Sequence, residues 1–403
     1  MESVMKQKIA IVRGKFLNKY EMQMYEPLVD RYDITAFGSL TSYHDRFAFP
    51  VVKLPSPMDL PDFFYKMPIL NRLFIDAHYL FGLEERLKGF DLVHTAETYF
   101  HYTTQCLRAK KKGYVKKVIA TVLENIPHNN EGIWGRKAFK AVARKELDHM
   151  IALTQKTKET LLIEGCDPSK ISVIGHFIDT KRFYSRQDRR MRSFHAVNIL
   201  FVGRMEEYKG VFDILEAAHV LLNDPDLVHY RLQFVFVGDG SKKKEMIRKE
   251  NMLGLESRVV HRLVSYEDMP RVYQSADIFV APSKPRMRYM VYRWTDRTGE
   301  SRPDPDITWE EQYNTALLEA QASGLAIVTT RSGGIPENVG DAAILIDPGD
   351  VAGLANALKR FILDKKFRSE FGRRARLRAL HVHDAGIGAR KLADLYERIL
   401  AQP

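Results

Sequence analysis

Phe201-Val202-Gly203-Arg204-Met205-Glu206-Glu207-Tyr208-Lys209-Gly210 is the stretch on which the fold turns. An apolar run over 198–202 stops at Gly203, and a helical pattern starts just after Gly210. Glycine lets the backbone of such a strand-to-helix turn come close to a ligand. Arg204 offers a planar fork and Lys209 a point charge on the same turn. Together they suit a diphosphate; read alone, they are equally two solvated surface cations.

Outward from this turn, short β-branched runs alternate with helical patterns. The second half predicts strands over 198–202, 232–237, 258–263, 277–281, 326–330 and 343–346, with helices over 211–222, 242–252, 267–275, 315–323 and 351–363. The first half predicts strands over 8–12, 33–37, 51–54, 91–95, 117–122, 150–154 and 171–174, with amphipathic segments 20–31, 63–88 and 134–149 between them. Strand–helix alternation implies α/β architecture, with parallel sheets covered by helices on both faces. The expected domains are 1–180 and 194–383, each Rossmann-like and doubly wound, joined by a charge-rich linker at 179–193. The remaining piece, 384–403, is a helix whose stripe of Leu392, Leu395, Ile399 and Leu400 must dock somewhere.

Composition bounds the function. The 403 residues, 45% of them hydrophobic, suffice for two or three packed cores. Cys106 and Cys166 make neither a disulfide framework nor a zinc spacing, which fits buried thiols in a reducing cytoplasm. No apolar run approaches the roughly 18 residues of a membrane span, and the N-terminus reads straight into a strand, without the apolar core of a signal peptide. The net charge of +11 is compatible with nucleic acid, anionic lipid or phosphorylated ligands. Basic residues lie scattered among acidic ones and match no nucleic-acid module, so nucleic acid is excluded as a partner. The basic run Lys110-Lys111-Lys112-Gly113-Tyr114-Val115-Lys116-Lys117, with the apolar stretch 63–74, suggests peripheral contact with the inner face of a membrane.

Three further clusters fall at predicted strand ends, where open α/β sheets bind ligands. In Glu310-Glu311-Gln312-Tyr313-Asn314-Thr315-Ala316-Leu317-Leu318-Glu319-Ala320, a helix starts at Thr315. Its free N–H groups face an anion, while Glu311, on an exposed loop, and Glu319, one turn inside, suit sugar and ribose hydroxyls. Arg331-Ser332-Gly333-Gly334-Ile335-Pro336-Glu337 allows a tight turn toward a phosphate. Val12-Arg13-Gly14-Lys15 follows the first strand and suits donor phosphates or an acceptor.

Taken in order, Gly203-Arg204-x4-Lys209-Gly210, Ala281-Pro282-Ser283, Glu311-x7-Glu319-Ala320, Ser332-Gly333-Gly334-x2-Glu337 and Asp347-Pro348-Gly349-Asp350 resemble the retaining glycosyltransferase family 4. The resemblance implies the GT-B fold: two Rossmann-like domains facing a central cleft, with the last helix packing back on the first domain. It implies hexosyl transfer from a nucleotide-diphosphate sugar to a glycan, lipid or small-molecule acceptor, with retention and with no metal or other cofactor. The catalytic set it implies is Glu311, Arg204 and Lys209. Arg204 and Lys209 would hold the donor diphosphate and Glu311 the transferred sugar. Backbone amides of Tyr313, Asn314 and Thr315 would meet sugar and phosphate, and Glu319 the ribose; Gly14 joins the donor-binding set.

Two departures stand out. Tyr313-Asn314 replaces the usual Phe-Gly, and Asn is the non-glycine residue best suited to positive φ. The first-domain histidine expected after the strand 117–122 is displaced, leaving Glu124 or His128 for the acceptor or sugar. Two other functions suit the same residues: a nucleotide-sugar epimerase, and a non-catalytic nucleotide-sugar binding protein. The segment 284–309, with Arg286, Arg288, Arg293, Arg297, Arg302, Tyr289, Tyr292 and Trp294, has no period. It is expected to close over the cleft and select an anionic acceptor.

Overall fold

The computed structural model describes residues 6–184, 195–287 and 307–402. It divides into two compact units, one of 1–177 with 385–403 and the other of 178–384.

In the first unit the strands are β1 (Lys8–Gly14), β2 (Asp33–Ser39), β3 (Val51–Leu54), β4 (Phe90–Ala96), β5 (Val115–Val122), β6 (His149–Ala152) and β7 (Ile171–Val173). They form one sheet in the order β3-β2-β1-β4-β5-β6-β7, and every pairing is parallel. Alternation along β1 sends Ala10 and Val12 to one core and Ile9 and Ile11 to the other. The helix Ala385–Leu400 covers the Ile9 face with Leu392, Leu395, Tyr396 and Ile399, all buried. At roughly 1.5–3 kcal/mol for each large apolar side chain buried, this stripe anchors the helix firmly. Tyr396 Oη also lies 2.7 Å from His94 Nδ1. Cys106 and Cys166 are buried in the opposite core.

In the second unit the strands are β8 (Ala196–Val202), β9 (Arg231–Val237), β10 (Val259–Arg262), β11 (Ile278–Ala281), β12 (Arg286–Met287), β13 (Ile307–Trp309), β14 (Ala326–Thr330) and β15 (Ile344–Ile346). Six of them form a parallel sheet, β10-β9-β8-β11-β14-β15, while β12 and β13 pair antiparallel by themselves. The chain winds outward from β8 to β10 and returns beside β8 at β11. The topological switch therefore lies between β8 and β11. Each unit thus carries its own parallel sheet, the two-sheet content expected of the GT-B fold.

Three features differ from the sequence reading. The segment 63–88 is not one amphipathic element. A helix runs over Lys66–Phe74, Ile75 then takes φ 64°, and a short helix follows only at Leu83–Arg86. The break sinks Asp76 into the protein, and Phe64, Tyr65 and Leu73 stay exposed. Second, a helix over Lys365–Val382 has no counterpart in the reading. It buries Gly372, Ala375 and Ala379, and a Cβ on Gly372 would stand 2.5 Å from the Gly324 carbonyl oxygen. A seam of small residues lets it lie close, and Phe367 and Phe371 in its first half pack against the core beside Phe361. Third, the start of the charge-rich segment 179–193 is packed structure. Phe183 is fully buried, and the Arg182 guanidinium sits 4.1 Å over the Tyr266 ring. Residues 185–194 lie outside the described residues.

Candidate active site at the carboxyl edges of the sheets

In the second unit, the loops leaving β8 and β11 meet at the switch point, the position where open α/β sheets bind ligands. Gly210 makes the meeting possible. Its φ is 72°, and a Cβ there would fall 2.1 Å from the Pro282 carbonyl oxygen. Any side chain would push the β8 turn away from Pro282-Ser283. Between them, Lys209 Nζ stands 2.5 Å from Glu311 Oε2, and Ser283 Oγ donates to the same oxygen at 2.9 Å. Lys209 and Glu311 are both largely withdrawn from solvent. Glu311 is therefore a buried, partnered carboxylate and not the exposed one expected. Arg204 is exposed, its guanidinium 5.6 Å from the centre of the Tyr208 ring.

The helix Thr315–Ala322 opens at the same edge. Asn314 precedes it at φ 60°, a left-handed conformation that asparagine tolerates better than other non-glycine residues. Asn338 fixes this turn through its side-chain amide, which donates to the carbonyls of Tyr313 and Asn314. The Tyr313 hydroxyl faces His383 Nδ1 at 3.4 Å. Glu319, one turn in, accepts from Tyr273 Oη at 2.6 Å, and burial pushes its carboxyl up to about 7. The Ser332-Gly333-Gly334 turn differs from the reading in one respect. The Gly334 N–H donates to the Glu311 carbonyl at 2.8 Å, so it braces the glutamate loop.

The sequence motifs thus brought together Arg204, Lys209, Glu311, Asn314, Thr315 and Glu319 on one edge. Ser283 was quoted only as part of a motif. Tyr208, Tyr273, Trp309 and Asn338 were not singled out for a role, because each acts through a neighbour and carries no pattern of its own. Of the segment 284–309, Arg286 is exposed on β12, while Arg288, Arg293, Arg297, Arg302, Tyr289, Tyr292 and Trp294 lie outside the described residues.

The first unit has its own switch point, between β1 and β4. Gly14 ends β1 at φ 53°, and a Cβ there would stand 3.2 Å from the Tyr102 ring. Arg13 is no ligand cation. It is buried, with Nη1 donating to the Val12 and His94 carbonyls and Nη2 to Tyr25 Oη. Glu124 follows β5, and both its oxygens are taken: Oε1 by the N–H groups of Asn125 and Ile126, Oε2 by Asn129 and Asn130. His128 is exposed at φ 57°, its Nδ1 3.4 Å from Glu131. Asp76, in the break after the helix Lys66–Phe74, faces His78 Nδ1 at 2.9 Å and accepts from Arg136 at 2.5 Å. Nothing in the sequence pattern pointed to that pair. Among the described residues, one group has metal-ligand character, His128 with Glu131 and Glu164. Lys140 and Arg144 already neutralise its carboxylates.

Two families match the chain in tandem. Residues 37–182 match Glycosyltransferase Family 4, and residues 195–378 match Glycosyl transferases group 1. The chain belongs to these glycosyltransferases. The relatives include a D-inositol 3-phosphate glycosyltransferase from Corynebacterium kroppenstedtii, 30% identical over 62% of this chain and 53% of that protein. Another is an N-acetyl-alpha-D-glucosaminyl L-malate synthase from Bacillus anthracis, 23% identical over 52% of this chain and 49% of that protein. The chain thus spans about half the length of the curated relatives it matches. Among solved structures, Anabaena HepE in complex with UDP and glucose superposes with a TM-score of 0.74 at 16% identity, over 97% of this chain and 100% of that one. Sucrose-phosphate synthase from Thermosynechococcus elongatus superposes with a TM-score of 0.73 at 18% identity, over 98% and 100%. At such identities the likeness establishes the fold alone. No helix among the described residues is long and apolar enough to cross a membrane.

Proposed function

We propose that this glycosyltransferase moves a hexose from a nucleotide-diphosphate sugar to a hydroxyl of a glycan, lipid-linked or small-molecule acceptor, with retention and without a metal. The observation that carries the reading is the Lys209–Glu311 pair at the switch point, with Arg204 on the same turn. The sugar–phosphate bond breaks, and the bonding electrons leave with the diphosphate oxygen. Arg204 and Lys209 neutralise that oxygen's charge. The acceptor oxygen attacks from the face the diphosphate departs, and its proton passes to the leaving phosphate. Glu311 accepts from hydroxyls of the transferred sugar, Glu319 from the ribose, and the N–H groups of Tyr313, Asn314 and Thr315 meet sugar and phosphate. Gly14 belongs to the donor side, and Glu124 and His128, after β5, are the candidates for contact with the acceptor or sugar.

The relatives' acceptors named above, inositol phosphate and malate, are anionic, which supports an anionic acceptor here. A cytoplasmic site with peripheral membrane contact also belongs to this proposal, with a changed surface. Lys110, Lys111, Lys112 and Lys116 of the basic run are held by Asp148, Glu146, Glu84 and Asp91. The exposed ridge of Phe63, Phe64, Tyr65, Ile69 and Leu73 is the better lipid contact.

The test is a screen of nucleotide sugars by thermal shift, followed by NMR of the product formed in chelator. A donor at 100 times its dissociation constant adds about 2.7 kcal/mol of stability. Retained anomeric configuration and full activity in chelator support the reading. An inverted product, or activity restored only by a divalent ion, rejects it. Isomerisation of the donor without acceptor would instead indicate an epimerase.

A further inference from the structure

Lys209 is largely withdrawn from solvent, and both it and the exposed Arg204 lie against aromatic rings. Trp309 closes the hairpin strand β13 and pairs with Arg286 of β12, two residues before Glu311. Its ring centre is 4.3 Å from that of Tyr208, tilted by 54°. Lys209 Nζ sits 4.8 Å over the Trp309 ring and 5.9 Å over Tyr208, and the Arg204 guanidinium is 5.6 Å from Tyr208. Tyr208 is itself pinned, since its carbonyl accepts from the Lys284 N–H at 2.9 Å. One aromatic surface therefore underlies both cations of the β8 turn.

The chemistry of the ammonium gives this surface a task. Lys209 has three N–H donors and is drawn to Glu311. A diphosphate must share it with that carboxylate. An aromatic face attracts the cation without consuming a donor, and holds it partly desolvated. The ammonium then turns between Glu311 and a phosphate without passing through water. Without the face, Glu311 is the main attraction left, and the existing contact at 2.5 Å holds Lys209 against exchange with a phosphate.

We propose that Trp309, with Tyr208, is a positioning surface that sets Lys209 and Arg204 for the second phosphate of a nucleoside diphosphate. Trp309 thereby distinguishes a nucleoside diphosphate from a monophosphate. The inference rests on the donor reading above and deepens it. It also gives the 284–309 segment a donor-side residue, beyond the acceptor selection expected from its sequence.

The test compares the tightest binder among UDP, GDP, ADP and CDP with its monophosphate, by calorimetry on the full chain. Trp309→Ala lowers diphosphate affinity roughly 5–20-fold and changes monophosphate affinity less than about twofold. Trp309→Phe, which keeps an aromatic face, stays within about threefold of the parent for both. Equal losses for diphosphate and monophosphate, or Trp309→Phe failing as badly as alanine, make Trp309 a prop for the loop and overturn the proposal. Unchanged diphosphate affinity in Trp309→Ala overturns it as well. If the unmodified chain binds none of the four diphosphates, the donor reading itself falls and takes this inference with it.

Discussion

Lys209 Nζ and Glu311 Oε2 stand 2.5 Å apart, one on the loop leaving β8 and the other just before the helix Thr315–Ala322, 102 residues later in the chain. Breaking such a buried pair leaves a charge uncompensated, which costs roughly 3 kcal/mol or more. Lys209→Ala and Glu311→Ala are each expected to destabilise by about that amount, and the double variant by no more than either single one. Arg204, exposed, behaves differently: Arg204→Ala leaves stability within about 0.5 kcal/mol yet weakens nucleoside diphosphate binding by roughly 1.5–3 kcal/mol. Denaturant melts and calorimetry on the four variants check this. Additive stability losses at 209 and 311 refute the pairing.

A second expectation concerns protons. Burial raises the Glu319 carboxyl to about 7, against 4.5 for an ordinary glutamate. The folded state thus holds its proton more tightly than the unfolded chain does. The contribution of Glu319 to stability falls as pH rises from about 4.5 to about 7, and above that the full penalty of a buried carboxylate applies. Glu319→Gln still accepts from Tyr273, and it should flatten this part of the stability–pH curve. If ribose hydroxyls donate to Glu319, binding favours the carboxylate. Nucleotide association at pH 7 then releases a fraction of a proton, visible as a dependence of the calorimetric heat on the buffer's ionisation enthalpy. Identical heats in all buffers would remove Glu319 from the ribose.

A third expectation separates the two candidate lipid contacts. The ion-paired lysines predict little dependence on anionic lipid, whereas the aromatic ridge predicts hydrophobic anchoring. Sedimentation with vesicles should show binding that survives high salt and falls at least fivefold in Phe64→Ser/Leu73→Ser. Phe64 and Leu73 are mostly exposed, so their loss spares the core. Binding abolished by salt and indifferent to these changes would return the contact to the basic run.

Much of this was legible from spacing. The helices Val211–Leu222 and Val351–Leu363 match the periodic segments residue for residue, since their apolar faces bury against the sheet as the pattern requires. The parallel strands read as apolar runs because both their faces are covered. Legibility failed where much of the contact is made by small residues and arginines, with Phe367 and Phe371 the large apolar groups on one half of the helix Lys365–Val382. That helix docks through Gly372, Ala375 and Ala379, and Arg376 donates to the carbonyls of Thr180, Phe183 and Ala322. At the site, Arg204, Lys209, Glu311 and Glu319 were visible as charges at strand ends. Their supports were not, since Ser283, Tyr273 and Asn338 reach them through pairings that only the folded chain defines.

The Asn314 turn gives the last expectation. Asn314 holds φ 60° and ψ 86° immediately before the helix Thr315–Ala322, and its carbonyl accepts the Leu317 N–H at 3.0 Å. The turn decides where the first free N–H groups of that helix point, hence what they offer to a phosphate. Glycine adopts this conformation without cost, and asparagine tolerates it. Asn314→Gly should keep stability within about 1 kcal/mol and leave diphosphate affinity unchanged. Valine crowds its own backbone at positive φ, so Asn314→Val should lose roughly 1–2 kcal/mol. The turn can escape that strain only by rotating, which swings the Thr315 N–H off the ligand and costs diphosphate affinity beyond the loss of stability. Urea melts and calorimetry on the two variants measure both quantities. A valine variant that is destabilised yet binds diphosphate as tightly as the parent would show that these amides face no phosphate.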